Sequence, residues 1–316
     1  MSVIDPLKAV ARQLGTLRER VVFVGGMIRS LLVTDPAAGP ARPTVDVDLI
    51  VDVPTQVALM QLGEQLRAVG FRESHEEGDP ICRWVASGVR VDVMPLDPAI
   101  LGFSNVWYPS GFETATTVTG FDGRVLDAAH FCATKIEAFA SRAGGDLFHH
   151  DLEDVVAVVD GRETLVDEIA SSSDDLRSYL AEAIGDLLAL PAFMEALPGH
   201  LMSDAASQAR LPLVIDRLRR IAALAPKAQK KKHEASTVGE VSGTLLQQPT
   251  ILRSSNLQSA DYDAASQTLT VGFRGGGVYE YYGVPETIFS GLLHAASAGR
   301  YLHRWIRTRY RYRRIR

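Results

Sequence analysis

The chain has 316 residues, of which 46% are hydrophobic, and a formal net charge of -5. A usual domain contains about 100–200 residues, so this length predicts more than one domain. No run approaches the ~20 apolar residues of a membrane-spanning helix, and the N-terminus lacks the basic-then-apolar order of a signal peptide. Two cysteines without a nearby cluster of His and Cys argue against a disulfide framework and a zinc site. A cytoplasmic protein with no membrane contact is therefore expected.

The charge is distributed unevenly along the chain. Residues 250–316 contain ten Arg and four acidic residues, which gives +6, so the other 249 residues carry -11. A basic end on an acidic body predicts that a polyanion binds at that end alone.

The first predicted elements are an amphipathic helix and a buried strand that ends at two glycines. Apolar residues three and four apart predict the helix over residues 4–18, and the run VVFV predicts the strand over residues 21–24. Gly25 and Gly26 have no Cβ atoms, so backbone amides at this turn can approach a phosphate closely. The turn is therefore a candidate phosphate cradle.

Asp46 and Asp48 lie on the next predicted strand, after a proline-rich loop at residues 35–44. Side chains alternate along a strand, so both carboxylates project from one side of it. Such a pair repels itself unless a cation lies between the oxygens, and Mg2+ takes carboxylate oxygens together with substrate phosphates. The pattern predicts a phosphoryl-transfer site, although a solvent-facing strand edge would carry the same residues.

Further along, the pattern predicts a mixed sheet backed by helices. A helix is expected over residues 55–69, followed by short strands, of which the last two form a hairpin. The turn of that hairpin is Ser87 and Gly88, and its second strand carries Asp92.

More strand-like residues follow over residues 114–126, and from residue 128 to residue 225 the chain is predicted to be mainly helical. The predicted fold class is α+β. A polar segment without an apolar period then indicates an exposed linker, and the last part predicts a hairpin followed by helices. The expected parts are a first domain at residues 1–165, a helical extension at 166–225, the linker at 226–250 and a small α+β domain at 251–316.

An ordered set of residues in the first domain resembles a known family. The pattern Gly25-Gly26, then Arg29, then Thr44-x-Asp46-x-Asp48 is similar to the nucleotidyltransferase fold of the polymerase-beta type, and within it to the AbiEii/MenT toxin-like branch. The resemblance covers roughly residues 15–165. It implies a third carboxylate on a later strand, a Lys on a later helix and then an Asp-x-x-Asp helix, which match Asp92, Lys135, Asp151 and Asp154.

The resemblance also implies an activity, which is the transfer of an NMP from an NTP to an acceptor hydroxyl. The implied acceptor is RNA, foremost the tRNA 3′ end, in a toxin–antitoxin setting with an antitoxin protein as a partner. Nucleotidylation of a protein or small molecule, and a non-catalytic nucleotide- or RNA-binding module, are the alternatives. The implied metal is Mg2+ or Mn2+ on Asp46, Asp48 and Asp92, the implied NTP contacts are Gly25, Gly26, Arg29, Thr44 and Lys135, and Asp151 and Asp154 join the catalytic set.

Two of these assignments have ordinary structural alternatives, and a metal role also arises for two histidines. Asp92 lies on the same strand face as Arg90, so the two residues would also form a salt bridge. A Lys on a helix, such as Lys135, is normally solvated. His149 and His150 precede Asp151, but adjacent side chains on a helix point about 100° apart, so a metal role is disfavoured for them.

The C-terminal region resembles a second family. Tyr262-Asp263, the hairpin from Phe273 to Tyr281, Val284-Pro285 and Ala296-Ser297-x-Gly299 are similar to the KTSC domain, a small module named for its occurrence at the C-terminus of lysyl-tRNA synthetases. Arginine binds phosphates and stacks on bases, so the Arg-rich end also suits RNA. Aromatic packing is the alternative role of this end. The candidate RNA contacts are Arg300, Arg304, Arg307, Arg309 and Arg311.

Overall fold

The structure is a computed structural model that describes residues 4–39, 44, 46–143, 146–225, 250–251, 257–273, 277–294, 298–307 and 309–315. The chain divides into two compact units. The first contains Met1–Phe139 and Asp146–Ala225, and the second contains Ala140–Gly145 and Pro226–Arg316. Nearly all of the predicted linker, residues 226–249, lies outside the described residues.

The first unit contains a seven-stranded mixed sheet, in agreement with the predicted α+β class. The strand order is β3-β4-β5-β2-β1-β7-β6. The pairs β2–β5 and β1–β7 are parallel, and the other neighbours are antiparallel. The strands are β1 Val21–Val24, β2 Asp46–Val51, β3 Arg72–Glu73, β4 Arg83–Ala86, β5 Val89–Pro95, β6 Thr116–Thr117 and β7 Arg124–Val125.

Helices make up most of the rest of this unit. They are α1 Asp5–Leu14, α2 Arg29–Leu32, α3 Gln56–Ala68, α4 Pro98–Leu101, α5 Tyr108–Thr114, α6 Ala128–Arg142, α7 His150–Gly161, α8 Leu165–Ala170, α9 Asp174–Leu188, α10 Pro191–Ala196, α11 Ala205–Gln208 and α12 Leu211–Ala222. Short 3-10 segments lie at Gly15–Arg20, Gly26–Ile28 and Leu197–His200.

The first helix is shorter than the 4–18 span predicted from its apolar period. It ends at Leu14 because Gly15 takes a left-handed φ of 56°, which glycine adopts without strain. Leu7, Val10 and Leu14 are fully buried, so the helix packs against the core as predicted. None of the helices in the described part of the chain is both long and apolar enough to span a bilayer.

The central strands place the acidic residues at the surface of an apolar layer. All four residues of β1 are buried, as expected for a strand covered on both faces. In β2, Val47 and Leu49 are buried, while Asp46 and Asp48 are half-exposed. The period-two alternation predicted for this strand is therefore present, and it keeps both carboxylates on one face.

The second unit is a five-stranded antiparallel sheet with helices, ordered β12-β11-β10-β9-β8. Its core contains Leu269, Val271, Tyr281 and Ile306. The predicted hairpin is present as β10 and β11, and the two predicted helices are present as α13 and α14. The elements are β8 Thr250–Ile251, β9 Leu257–Asp263, β10 Thr268–Phe273, β11 Val278–Tyr282, α13 Glu286–His294, α14 Ala298–Tyr301, a π-helical segment Leu302–Arg307 and β12 Arg311–Arg314.

Candidate active site

Three carboxylates lie on neighbouring strands of the first unit. Asp48 of β2 is directly opposite Asp92 of β5 in the parallel register, and Asp46 is opposite Arg90. Residues in register on paired strands share a face of the sheet, so Asp92 joins the side that Asp46 and Asp48 occupy. The topology thus brings Asp92 beside the two other acids, which precede it by more than forty residues in the sequence.

Two arginines bind these carboxylates. Arg83 of β4 donates from Nε to Asp92 Oδ1 at 2.8 Å and from Nη2 to Oδ2 at 2.9 Å. The same Nη2 lies 3.6 Å from Asp46 Oδ2, and Arg90 Nε donates to Asp46 Oδ1 at 2.7 Å. The hydrogen bonds to Asp92 raise the pKa of Arg83, even though burial opposes this. The salt bridge considered for Asp92 therefore exists, but its partner is Arg83 and not Arg90.

Gly25 allows the Asp48 carboxylate to lie against the backbone of the turn. A Cβ atom on Gly25 would lie 1.8 Å from Asp48 Oδ2, and its φ of 74° also disfavours any side chain. The first glycine of the pair is therefore required for a close approach of Asp48 to the β1 turn. The sequence predicted a phosphate-binding turn here, and the structure adds that the Asp48 carboxylate lies directly against this turn.

Gly26 lies beside a second group of polar residues. A Cβ atom placed on it would be 3.2 Å from Asp154 Oδ2, 3.4 Å from Thr44 Oγ1 and 3.7 Å from Lys135 Nζ. The predicted residues from the loop, from α6 and from α7 therefore converge on this glycine. The two adjacent glycines are in contact with two different parts of the predicted site.

Lys135 is not a solvated residue but the centre of a buried ion cluster. Its Nζ lies 2.7 Å from Asp154 Oδ2 and 3.1 Å from Asp151 Oδ1. Asp154 also receives Arg29 Nη1 at 2.9 Å, and all four side chains are at most 9% exposed. Arg29 thereby joins α2 to α7, and in this arrangement it serves Asp154 as a buried partner.

A potential metal-binding group lies at the start of α7. Among the described residues, His149, His150 and Asp151 could together hold an ion. The two imidazole rings are 4.0 Å apart, because His149 is the N-cap residue before the helix and not part of it, so the 100° argument against them was wrong. However, Lys135 Nζ is 3.1 Å from Asp151 Oδ1, and the helix N-terminus is positive. Both charges disfavour a cation at this position.

The predicted RNA contacts in the second unit fall into three groups. Arg307 and Arg311 are exposed. Arg309 is half-buried, with its guanidinium 4.5 Å from the centre of the Trp305 ring, and burial lowers its pKa. Ile306 belongs to the core, with Trp305 packed against it, so the aromatic packing role is present. The side chains of Arg300 and Arg304 lie outside the described residues.

Comparison with known proteins matches the C-terminal part of the chain to the KTSC domain, over residues 253–310. A protein from Tsukamurella paurometabola is 42% identical over 60 residues, which are 19% of this chain and 90% of that protein. A crystal structure of a KTSC domain protein from Yersinia pestis is 33% identical, with a TM-score of 0.21, and covers 22% of this chain and 97% of that chain. The predicted KTSC resemblance is confirmed.

The larger part of the chain is similar to a solved structure of another kind. It is an antigenic nucleotidyltransferase-like protein from Paracoccidioides brasiliensis, 20% identical, with a TM-score of 0.39. The similarity covers 62% of this chain and 92% of that chain.

Proposed function

The chain belongs to the KTSC domain family through residues 253–310, and we propose that its first unit is a metal-dependent nucleotidyltransferase. In this proposal the unit moves an NMP from an NTP to an acceptor hydroxyl and releases pyrophosphate. The reaction requires close placement of a triphosphate, the acidic residues that hold metal ions and a cation that offsets phosphate charge.

One observation carries the proposal, which is the pair of contacts at the two glycines. Asp48 lies against Gly25, and Lys135, Thr44 and Asp154 surround Gly26. A triphosphate bound along this turn would therefore reach both the Asp48 carboxylate and the Lys135 ammonium. An ammonium has three N–H donors, and Lys135 Nζ donates one of them to Asp151 Oδ1 at 3.1 Å. Asp154 Oδ2 is an ion-pair partner at 2.7 Å that accepts no hydrogen bond from the described residues. One of the other donors is the one that we assign to a phosphate oxygen.

The donor set also fits the divalent ion that such a reaction uses. Asp46 and Asp48 are half-exposed carboxylates on one strand face, and hard oxygen ligands are those that Mg2+ or Mn2+ prefers. These two residues would hold the ions, with Asp92 as the third member predicted from the resemblance. Asp46 Oδ1 accepts from Arg90 Nε at 2.7 Å, so this oxygen becomes a ligand only after Arg90 moves. When bound, the ions stabilise negative charge on the phosphates during transfer.

The other residues of the site have positioning roles in this proposal. Asp151 and Asp154 fix the Lys135 ammonium beside Gly26, and Arg29 fixes Asp154 in turn. The close packing of Asp48 on Gly25 fixes the carboxylate relative to the turn. Because these charged groups are already held in position, less free energy is needed to orient them when the NMP is transferred.

A non-catalytic nucleotide-binding module is the second candidate, and the Arg83 contact favours it. Both Asp92 oxygens are bound by Arg83, so Asp92 can assist an acceptor hydroxyl or a metal only after this guanidinium moves. In the second candidate the arginine holds the acid permanently, and nucleotide binds without transfer.

Incubation with each of the four NTPs, labelled on the α-phosphate, tests the proposal and identifies the acceptor. The reactions contain Mg2+ and total RNA, and the products are separated into RNA, protein and small molecules. Label in RNA supports an RNA acceptor, which is the acceptor class that the toxin-branch resemblance implies. The same resemblance further implies the tRNA 3′ end as the acceptor and an antitoxin protein as a partner. Label in protein or in a small molecule selects another acceptor, and bound but untransferred NTP selects the non-catalytic module.

The variant Asp92→Ala separates the two candidates further. If Asp92 assists the acceptor, turnover should fall by about 10²-fold or more, while NTP affinity changes less. The matched control is Asp79→Ala, because Asp79 also binds Arg83, at 2.9 Å, but belongs to the segment before β4 and not to β2 or β5. A decrease in NTP affinity as large as that of Asp48→Asn would instead make Asp92 a ligand of the nucleotide metal.

We also propose that the second unit contributes RNA affinity through its exposed arginines. In the full chain, Arg307→Gln with Arg311→Gln should weaken RNA binding and leave NTP binding unchanged. The slope of log affinity against log salt should shrink by about 0.7 for each single-strand phosphate that the variant no longer neutralises. The double variant Arg219→Gln with Arg220→Gln is the control, because both residues are exposed on α12 of the first unit. An unchanged slope in the first variant would contradict the role.

A further inference from the structure

A second set of reactive side chains lies between α5 and α6, away from the two glycines. Ser110 Oγ is 3.1 Å from His130 Nε2, and His130 Nδ1 is 2.8 Å from Asp127 Oδ2. Thr114 Oγ1 donates to the same Asp127 oxygen at 2.7 Å. A hydroxyl, an imidazole and a carboxylate in hydrogen-bonded order are the groups of an activated serine nucleophile.

The hydrogen bonds determine which imidazole nitrogen faces the serine as an acceptor. Burial alone would raise the pKa of Asp127, but its hydrogen bonds and charge interaction with His130 outweigh this, and the pKa lies below its usual range. An ionised carboxylate accepts only, so Nδ1 of His130 must carry a proton toward it. In the neutral imidazole, Nε2 is then the lone-pair nitrogen, and it is directed at Ser110 Oγ. His130 is 4% exposed, so this orientation is held by its surroundings.

Helix capping explains only one of these contacts. Asp127 precedes α6, and its Oδ1 accepts the backbone N–H of His130 at 2.9 Å, as an N-cap residue does. A cap needs neither the contact of Oδ2 with the imidazole ring nor the contact of the ring with Ser110. The contact with Ser110 comes from a different helix, and together the two contacts complete a chain from carboxylate to hydroxyl.

The set opens onto a cavity of about 650 Å3. Its lining includes Ser110, His130 and Asp127 together with the apolar side chains of Leu32 and Val118. This volume suits a small molecule. Glu113, Asp127 and Glu168 also line it, against the single cation Arg162, which is bound to Glu168 at 2.8 Å. The charge balance favours neutral or cationic substrates over anionic ones.

We propose that Ser110, His130 and Asp127 form a second catalytic site that hydrolyses small, uncharged carboxylic esters. Ser110 Oγ forms a bond to the ester carbonyl carbon and passes its proton to His130 Nε2. The C–O bond to the alcohol breaks, and the alcohol leaves with that proton. Water then attacks the carbonyl carbon of the acyl-serine and gives one proton to His130. The bond from this carbon to Ser110 Oγ breaks, the carboxylic acid leaves, and Ser110 Oγ takes the proton from His130. No redox partner is needed, and Asp127 acts as a positioning residue.

The test uses the full chain and a fluorophosphonate probe, which forms a serine–phosphorus bond and releases fluoride. Mass spectrometry of the labelled peptides should find the adduct on Ser110, and denatured chain should not be labelled there. The folded chain should also hydrolyse p-nitrophenyl butyrate. Ser110→Ala should remove both signals, and His130→Gln should slow both by about 10²-fold or more. Ser172→Ala is the matched control, because this serine lines the same cavity but donates to the Ile169 carbonyl at 2.7 Å. Ser110 Oγ also has a backbone acceptor, the Trp107 carbonyl, but at the longer distance of 3.5 Å.

Two outcomes would overturn the second site. One is the absence of an adduct on Ser110 in the folded chain, and this result does not depend on any variant. The other is labelling of His130→Gln at the wild-type rate, with its fold checked by circular dichroism. Asp48→Asn should keep full labelling, because the inference does not rest on the nucleotidyltransferase proposal.

Discussion

Asp48→Asn should reduce nucleotidyl transfer by about 10²–10³-fold or more while the protein remains folded. The substitution keeps the shape of the side chain against Gly25 but removes the negative charge that would hold the ion in the proposed site. Affinity for the NTP in the presence of Mg2+ should fall as well, since metal and triphosphate bind together. Transfer is measured with α-labelled NTP, and affinity by equilibrium titration.

Asp52→Asn is the control for this prediction. Asp52 follows β2 directly and is exposed, so the same chemical change is made a few residues away without touching the turn. If Asp48→Asn and Asp52→Asn both transferred the nucleotide at nearly the wild-type rate, the assignment of Asp48 to the site would be contradicted.

Lys135→Met should lower the free energy of unfolding by about 3–5 kcal/mol and also remove transfer. The loss of one partner weakens the compensation of a buried charge. Arg29 still binds Asp154 at 2.9 Å, so the main loss is at Asp151, which is 0% exposed. Asp151 keeps the imidazoles of His149 and His150, at 3.3 and 3.6 Å. Denaturant titration followed by circular dichroism measures the loss.

A double variant identifies the cause of that loss. Lys135→Met with Asp151→Asn should recover part of the stability, because the carboxylate that lost its lysine partner is then absent, but it should not recover transfer. Arg220→Met is the control for replacing a cation with methionine at an exposed position. A decrease of less than about 1 kcal/mol in Lys135→Met, well under the cost of an unpaired buried charge, would contradict the buried cluster. Full transfer would contradict the role of the ammonium.

The elements around the site could be predicted well from the sequence, because they depend on local patterns. The strand at Val21–Val24 is as predicted, and Asp46 and Asp48 share a face since alternation in β2 needs no long-range information. The hairpin turn at Ser87 and Gly88 is also present, with φ values of 52° and 74°.

Partners across the sheet were harder to identify. A two-residue turn at 87 and 88 pairs residue 83 with residue 92, so the Arg83–Asp92 contact follows from the predicted hairpin once its register is used. A prediction from β5 alone favours Arg90 as the salt-bridge partner of Asp92, because the two residues lie two positions apart on this strand. The register of the two strands could therefore be predicted from the sequence, but only when the two residues of the turn are identified without an error of even one position.

Other features had no local signal. Asp127 and His130 are three residues apart, but Ser110 lies twenty residues before His130, and only the contact between α5 and α6 brings it to this pair. The pairing of His149 with His150 at the start of α7 depended on the position of the helix boundary, and boundaries are the least certain part of any sequence-based prediction. The strand β9, with the polar sequence LQSADYD, lacks the apolar alternation that indicates a strand.

The most direct test of the nucleotidyltransferase proposal compares the same NTP labelled on the α-phosphate or on the γ-phosphate. Wild-type protein with Mg2+ should transfer the α-label to an acceptor, release the γ-label as pyrophosphate, and lose both reactions in Asp48→Asn. Transfer of the γ-label to an acceptor would contradict the proposal. Binding of NTP without release of pyrophosphate, whichever acceptor is added, would contradict it as well.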